Sequence, residues 1–212
     1  MNRGRWAAIA VAALFLIAAG VFVFRGGAPR DERDALEPFT LAGERLSLPA
    51  AYFRTRAEDG AVELAAFFPD FAPAGRFDEI DARTDLDKRF QRLVFLELRP
   101  ADKSIDPAER TARLYVRFLS ETWWSHPGGL LAREFEPGSP FEDDELYYSP
   151  PDGRDFAARC HRPDPDRKTP NTCLAAFRSG AIDAELRFSA ALLSDWRTLI
   201  GNARGLIETA RR

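Results

Sequence analysis

The sequence predicts an α+β domain that follows a single N-terminal transmembrane helix. Trp6 to Phe24 is a run of nineteen residues without a charged side chain. A helix rises about 1.5 Å per residue, so this run nearly spans a hydrocarbon core of about 30 Å. The remaining residues read as strands joined by short turns, with one helix inside the run of strands and one after it. This order favours a mainly antiparallel sheet packed against two helices.

We expect four segments: a short cytoplasmic N-terminus at 1–5, a transmembrane anchor at 6–24, a charged linker at 25–38 and a soluble domain at 39–212. The alternative is a cleaved signal peptide, because Ala18-Ala19-Gly20 is a site of small residues. The apolar run continues past that site to Phe24, and cleavage there would leave an apolar new terminus. A retained anchor is therefore the favoured interpretation.

The charge balance and the amino-acid composition limit the possible cellular locations and binding partners of the protein. The first 24 residues hold two arginines and no acid, so the rest of the chain carries 28 basic and 33 acidic residues. This acidic balance excludes a domain-wide basic field for nucleic acid. Only three of the 30 basic residues are lysine, which is typical of a GC-rich bacterial genome. We expect a single-pass protein of the bacterial inner membrane with its C-terminal domain in the periplasm.

The first strands are predicted from the alternation of apolar and polar residues, and a proline limits where one of them can lie. Arg45 to Thr55 predicts a strand that Pro49 confines to an edge or a bend. Ala61 to Phe68 alternates apolar and polar residues and predicts a second strand. Pro69 to Lys88 is rich in proline, glycine and acids and predicts a loop. Arg89 to Arg99 is apolar on both sides in its middle, which predicts a central strand.

A helix is predicted next, because Asp106 can cap it, Pro107 suits the first helical position and Glu109 completes a variant of the capping box. Its apolar face would consist of Ala108, Ala112, Tyr115, Leu119 and Trp123.

The remaining elements are two strand pairs, a last strand and a helix. The first pair is Leu130–Phe135 with Leu146–Ser149, the second is Phe156–His161 with Thr172–Arg178, and the last strand is Ala184–Ala190. The helix begins near Ser194 and repeats apolar residues at three- and four-residue steps to Ala210. This order of elements resembles the PsbP-type antiparallel sheet covered by helices, a resemblance that implies a fold and no function.

Cys160 and Cys173 are the only cysteines and fall on neighbouring predicted strands. An even pair in an exported domain predicts a disulfide across a hairpin. Unpaired buried thiols are one alternative. A metal site is another, although the chain offers only these cysteines, His126 and His161 as conventional zinc ligands.

If the protein is a hydrolase, its catalytic histidine would be His126 and its nucleophile Ser120, Ser125 or Ser139. The chain has no Gly-x-Ser-x-Gly elbow to expose a nucleophile, and a loop histidine beside packing tryptophans is the favoured interpretation of His126. No phosphate loop or dinucleotide fingerprint is present, so we expect no cofactor and no resident metal.

Two features suggest an interaction surface. Arg110, Arg113 and Arg117 would form a basic stripe on the outward face of the first helix, which could meet anionic lipid or an acidic partner. The aromatic residues near it are expected to be mainly core, with Trp123 buried and Trp124 the most exposed. Trp124 and Tyr148 complete the predicted surface.

We therefore predict a non-enzymatic binding or scaffold component of the cell envelope whose partner is another envelope protein. A membrane anchor would favour such binding through high local concentration. The alternatives are an envelope hydrolase that uses His126, and a periplasmic lipid- or small-ligand-binding module that uses Trp124 and Tyr148 as pocket lining.

Overall fold

The structure is a computed structural model that describes residues 32–56, 60–75, 86–102, 104–162 and 171–212. The chain divides into two compact units, 1–35 and 36–212. The described part of the first unit holds a short 3₁₀ turn, Glu32–Asp34. The predicted anchor at 6–24 lies outside the described residues. Within the ranges given above, no helix is both long enough and apolar enough to cross a membrane.

The second unit is an α+β domain built on antiparallel strands, as predicted. Its strands are β1 (Leu36–Leu41), β2 (Glu44–Pro49), β3 (Phe53–Arg56), β4 (Val62–Phe67), β5 (Ala72–Pro73), β6 (Leu93–Pro100), β7 (Leu119–His126), β8 (Leu130–Phe135), β9 (Asp144–Tyr148), β10 (Ala157–His161), β11 (Thr172–Ser179) and β12 (Ile182–Ser189). Its α-helices are α1 (Leu86–Arg92), α2 (Arg110–Arg113) and α3 (Trp196–Ala210).

Strands β1 and β2 form a separate hairpin. The other strands form one sheet in the order β3-β4-β6-β12-β11-β10-β9-β8-β7, with β5 also paired to β4. Strand β6 lies between β4 and β12, so the strand predicted at 89–99 is inside the sheet. Its first four residues, and the last three of the loop predicted at 69–88, instead belong to α1. Strand β1 begins at Leu36 and so takes in the last three residues of the range predicted as linker. The predicted strand 45–55 is divided by a 3₁₀ turn, Ala50–Tyr52, directly after Pro49.

The main core lies between one face of this sheet and a layer formed by α3 and the β1–β2 hairpin. We call this the inner face. The predicted apolar stripe of the C-terminal helix is confirmed, because all of its members are buried: Trp196, Leu199, Ile200, Ala203, Leu206, Ile207 and Ala210. A 3₁₀ stretch, Ala190–Asp195, precedes this helix.

The prediction of a helix from Asp106 to Trp123 is wrong beyond its first turns. Asp106 does cap the start, since its carboxylate accepts a hydrogen bond from the Ala108 amide at 2.9 Å. Residues 107–117 then form only a short helical segment, made of α2 between two 3₁₀ turns. Leu119 begins β7, because the threonine and tryptophans of LSETWWSH suit a strand and Gly128-Gly129, both at positive φ, turn the chain into β8.

A second, smaller core lies on the opposite face of the sheet, which we call the outer face. Tyr115 of the short helical segment packs there against Phe135, Leu146 and Tyr148. The rings of Tyr115 and Phe135 meet edge to face at 5.8 Å. This segment covers the outer face at the β8–β10 end of the sheet.

The predicted disulfide between Cys160 and Cys173 is present. The two residues are directly paired between β10 and β11, and both are buried in the main core. Pairing of the only two cysteines leaves no free thiol in the chain.

Candidate interaction surface

The outer face carries three glutamates side by side at the centre of the sheet. Glu63 of β4 is directly opposite Glu97 of β6, and Glu97 is directly opposite Glu185 of β12. We call these three residues the acidic row. Directly opposed side chains on antiparallel strands lie about 4.5–5.5 Å apart, and like charges at this distance destabilise a sheet. The row therefore costs stability that alternating charges would not.

Arginines border the acidic row. Arg99 donates to the Glu97 carboxylate at 2.5 Å, and an Arg54 guanidinium nitrogen lies 4.0 Å from the Glu63 carboxylate. Arg54 also lies over the ring of Phe95, 4.5 Å from its centroid. Glu185, by contrast, makes no hydrogen bond or ion pair with any residue in the described ranges. Glu185 is thus the member of the row without an ion-pair partner among the described residues.

Two grooves run along the row. One of about 290 Å³ is lined only by residues of β3, β4, β6 and β12, including all three glutamates, Phe95 and Arg187. The other, of about 250 Å³, shares Glu97 and Glu185 with the first and extends towards Asp102. We call this surface, from Arg187 to Asp102, the charged face. Sheet side chains line the larger groove, whereas Asp102, Ser104 and Arg110, which lie outside the sheet, also line the second.

The Asp102 end of the charged face is held in place by ionic contacts. Arg178 donates to both carboxylate oxygens of Asp183, at 2.6 and 2.8 Å, and these hydrogen bonds raise the pKa of the Arg178 guanidinium. The same guanidinium lies 3.9 Å from the carboxylate of Asp106, the helix cap. A hydrogen bond from Ser104 lowers the pKa of the Asp102 carboxyl.

The three arginines of the predicted basic stripe do not form one continuous basic surface. Arg110 is half-buried and lines the groove that reaches Asp102. Arg113 is paired with Glu109 at 2.7 Å, and Arg117 is exposed in the following 3₁₀ turn. Because α2 has only four residues, the continuous helical face that the stripe requires is not formed.

The aromatic residues are arranged differently from the prediction. Trp123 is 63% exposed, whereas Trp124 is half-buried and meets Tyr147 edge to face at 6.5 Å. Burial and a hydrogen bond to Glu145 raise the pKa of Tyr147. Tyr148 belongs to the small core on the outer face. Trp124 is opposite Ala132, which is in turn opposite Tyr147, so Trp124 lies on the inner face and cannot line one pocket with Tyr148.

His126 lies at the end of β7, where its ring packs edge-on against Tyr147 at 5.0 Å. Its Nδ1 is 2.9 Å from the carbonyl oxygen of Pro127. The described part of the chain shows no hydrogen bond between His126 and a serine. Ser139, one of the three candidate nucleophiles, instead accepts a hydrogen bond from the Phe141 amide. This geometry favours packing over nucleophilic catalysis.

Asp144 joins the ends of β9 and β10. Its carboxylate is largely buried, accepts a hydrogen bond from Arg159 at 3.0 Å and lies 2.8 Å from Nδ1 of His161. Arg159 in turn lies over the Phe141 ring, 4.8 Å from its centroid, at the edge of the smaller core. Through Arg159, the Asp144 carboxylate therefore connects the strand ends to the smaller core.

We expect Asp144→Ala to lower the free energy of unfolding by about 1–3 kcal/mol, because a partly buried guanidinium loses its acceptor. Urea denaturation measures this change. Asp152→Ala is the matched control, since Asp152 pairs with Arg154 at 2.9 Å on the exposed surface, where ion pairs contribute little. Equal midpoints for the two variants would contradict the assigned role of Asp144.

Comparisons with known proteins concern the fold. No family model matches the chain, and no curated protein matches it. Smlt3025, an immunity protein of the Stenotrophomonas maltophilia type IV secretion system, has a similar structure, with a TM-score of 0.61 and 15% identity over 84% of this chain and 93% of that chain. The Neisseria meningitidis iron-regulated outer membrane lipoprotein FrpD matches with a TM-score of 0.48 and 10% identity over the same shares. The first likeness shows a shared fold.

Proposed function

We propose that this chain is a protein-binding component of the bacterial cell envelope, and that its charged face recognises a partner presenting lysine or arginine side chains. The acidic row carries the proposal. Glu63 and Glu97 have arginine partners, whereas Glu185 has none among the described residues. A partner that places a cation against Glu185 would relieve the repulsion that remains within the row on binding.

The disulfide supports the proposed compartment, because disulfides form and persist in oxidising environments such as the bacterial periplasm. We place the domain in the periplasm, held at the inner membrane by the predicted anchor at 6–24. The likeness in fold to a secretion-system immunity protein agrees with a binding role.

The Glu185→Lys variant should lose partner binding without losing stability. Glu185 has no partner within the described ranges, so its replacement breaks no ion pair there. The new ammonium would lie beside the carboxylate of Glu97. We therefore expect the variant to be at least as stable as the wild type towards urea. Against a basic partner it should place like charges together, and we expect recovery of that partner to fall about tenfold or more.

The experiment is a cross-linked detergent pull-down of tagged full-length protein from its own host, followed by quantitative mass spectrometry. Glu136→Lys, an exposed acid outside the charged face, is the matched control for net charge. The proposal predicts an envelope protein recovered with wild type and Glu136→Lys and lost with Glu185→Lys. Equal recovery with both variants would show that the charged face is not the binding surface.

A further inference from the structure

The smaller groove of the charged face contains an arginine without an ion-pair partner. Arg110 begins α2 and lines this groove of about 250 Å³. It is half-buried, and it makes no hydrogen bond or ion pair within the part of the chain that the structure describes. Hydrogen bonds from Ser104 are the main cause of the lowered pKa of the Asp102 carboxyl, and the charge of Arg110 makes only a minor contribution to it. A guanidinium that loses water without gaining a partner costs free energy in the free domain.

Arg110 and Glu185 line the same groove from different elements, Arg110 from the short helical segment and Glu185 from β12. Both residues also line a smaller cavity of about 30 Å³ between this segment and the sheet. Ala176 is directly opposite Glu185 on β11 and lines both spaces, so only a methyl group stands beside the carboxylate on that side. The two opposite charges thus share two cavities but form no ion pair with each other. The groove leaves room between them for groups of a binding partner.

We propose that this groove binds an acidic and a basic side chain of the partner together. The basic side chain contacts Glu185, as in the proposed function on which this inference rests, and an aspartate or glutamate beside it contacts Arg110. The four charges then alternate in sign, so that each lies next to charges of the opposite sign. A planar guanidinium can donate two parallel hydrogen bonds to one carboxylate, which makes a carboxylate the group that Arg110 suits best.

A carboxylate suits this position better than a phosphate. Asp102, Asp183 and Glu97 line the same groove, and they would repel a phosphate of nearly two negative charges more strongly than a carboxylate of one. Arg99, the other arginine of the groove, already donates to the Glu97 carboxylate. Arg110 is therefore the arginine of this groove that is available to an anion, and one guanidinium matches one carboxylate.

The sign of the effect of Arg110→Gln separates this partner from a purely basic one. If an acid contacts Arg110, the substitution removes an attraction, and we expect recovery of the partner to fall about fivefold or more. If the partner presented only cations, Arg110 would repel it, and the same substitution would raise recovery. Arg110→Gln breaks no ion pair in the described ranges, so the urea midpoint should stay at the wild-type value.

The test is the cross-linked detergent pull-down of tagged full-length protein from its own host, with recovery of the partner quantified by mass spectrometry. Arg117→Gln is the matched control for the loss of one positive charge, because Arg117 is exposed on the same helical segment and does not line the groove. We expect the partner to be lost with Arg110→Gln and with Glu185→Lys, and to be recovered at the wild-type level with Arg117→Gln.

The other outcomes distinguish the two proposals. Unchanged or increased recovery with Arg110→Gln, together with loss with Glu185→Lys, overturns the acid–base pair and leaves the proposed function standing. Recovery that Glu185→Lys does not lower overturns both, as does a wild type that recovers no partner. An equal loss with Arg117→Gln overturns the role of Arg110, because it would trace the effect to net charge.

Discussion

Leu199→Ala is expected to lower the free energy of unfolding by about 2–5 kcal/mol. Leu199 is fully buried in the apolar stripe of α3, one turn from the start of the helix. Its replacement removes apolar surface from the main core and leaves a cavity that the tightly packed surroundings fill only in part. Urea denaturation followed by circular dichroism measures the change, with an unchanged dependence on urea expected.

The adjacent residue provides the control for this prediction. Thr198 is exposed on the same helix, so Thr198→Ala should change stability by no more than about 0.5 kcal/mol. A small effect of Leu199→Ala would mean that α3 does not pack on the inner face of the sheet. The layer arrangement described above would then be incorrect.

Removal of the disulfide is expected to lower the free energy of unfolding by about as much as Leu199→Ala does. Cys160→Ala together with Cys173→Ala should lower stability by about 3 kcal/mol in the chain-entropy model, because the bond closes a loop between residues 13 apart. Both side chains are buried between paired strands of the main core, so the loss also includes packing.

Reduction provides a test that does not depend on the substitutions. Dithiothreitol should shift the urea midpoint of the wild type towards that of the double variant and leave the double variant unchanged. A wild-type midpoint that is insensitive to a reductant shown to cleave the bond would contradict a stabilising role for the disulfide.

The parts of the fold that the sequence predicts well are those that local patterns determine. The stripe from Trp196 to Ala210 has a single helical period, and every member of it is buried. The hairpin of β8 and β9 and that of β10 and β11 follow from alternation between turn residues. The apolar run predicts the position of β6 inside the sheet, but burial on both sides is not found: Val94, Leu96 and Leu98 are buried, whereas Phe95 and Glu97 line the larger groove.

The region from Asp106 to Trp123 shows where local patterns are insufficient. The capping residues correctly predict where the helical segment starts, but Ala108, Ala112, Tyr115, Leu119 and Trp123 match a helical period by coincidence. Ala112 is exposed, whereas Leu119 is paired in register with Phe135 of β8. Tertiary pairing therefore overrides a helical pattern in a segment whose tryptophans and threonine also suit a strand.

The acidic row could not be predicted from the sequence for a related reason. Glu63, Glu97 and Glu185 are far apart along the chain, and each is an ordinary outward-facing residue of its own strand. Only the register of β4, β6 and β12 brings them together. The predicted stripe of Arg110, Arg113 and Arg117 relied on one continuous helical face, which the short segment does not form. Trp124 and Tyr148, the other predicted members of the surface, lie on opposite faces of the sheet.

Photo-cross-linking in intact cells tests the central claim most directly. A photoreactive phenylalanine derivative at position 187 would replace Arg187, which is exposed in the larger groove, and would leave all three glutamates in place. The same group at position 136 is the control. A cross-linked envelope protein at 187 but not at 136, lost when Glu185→Lys is added, is the predicted result. The same products at both positions, or none at 187, would contradict recognition through the charged face.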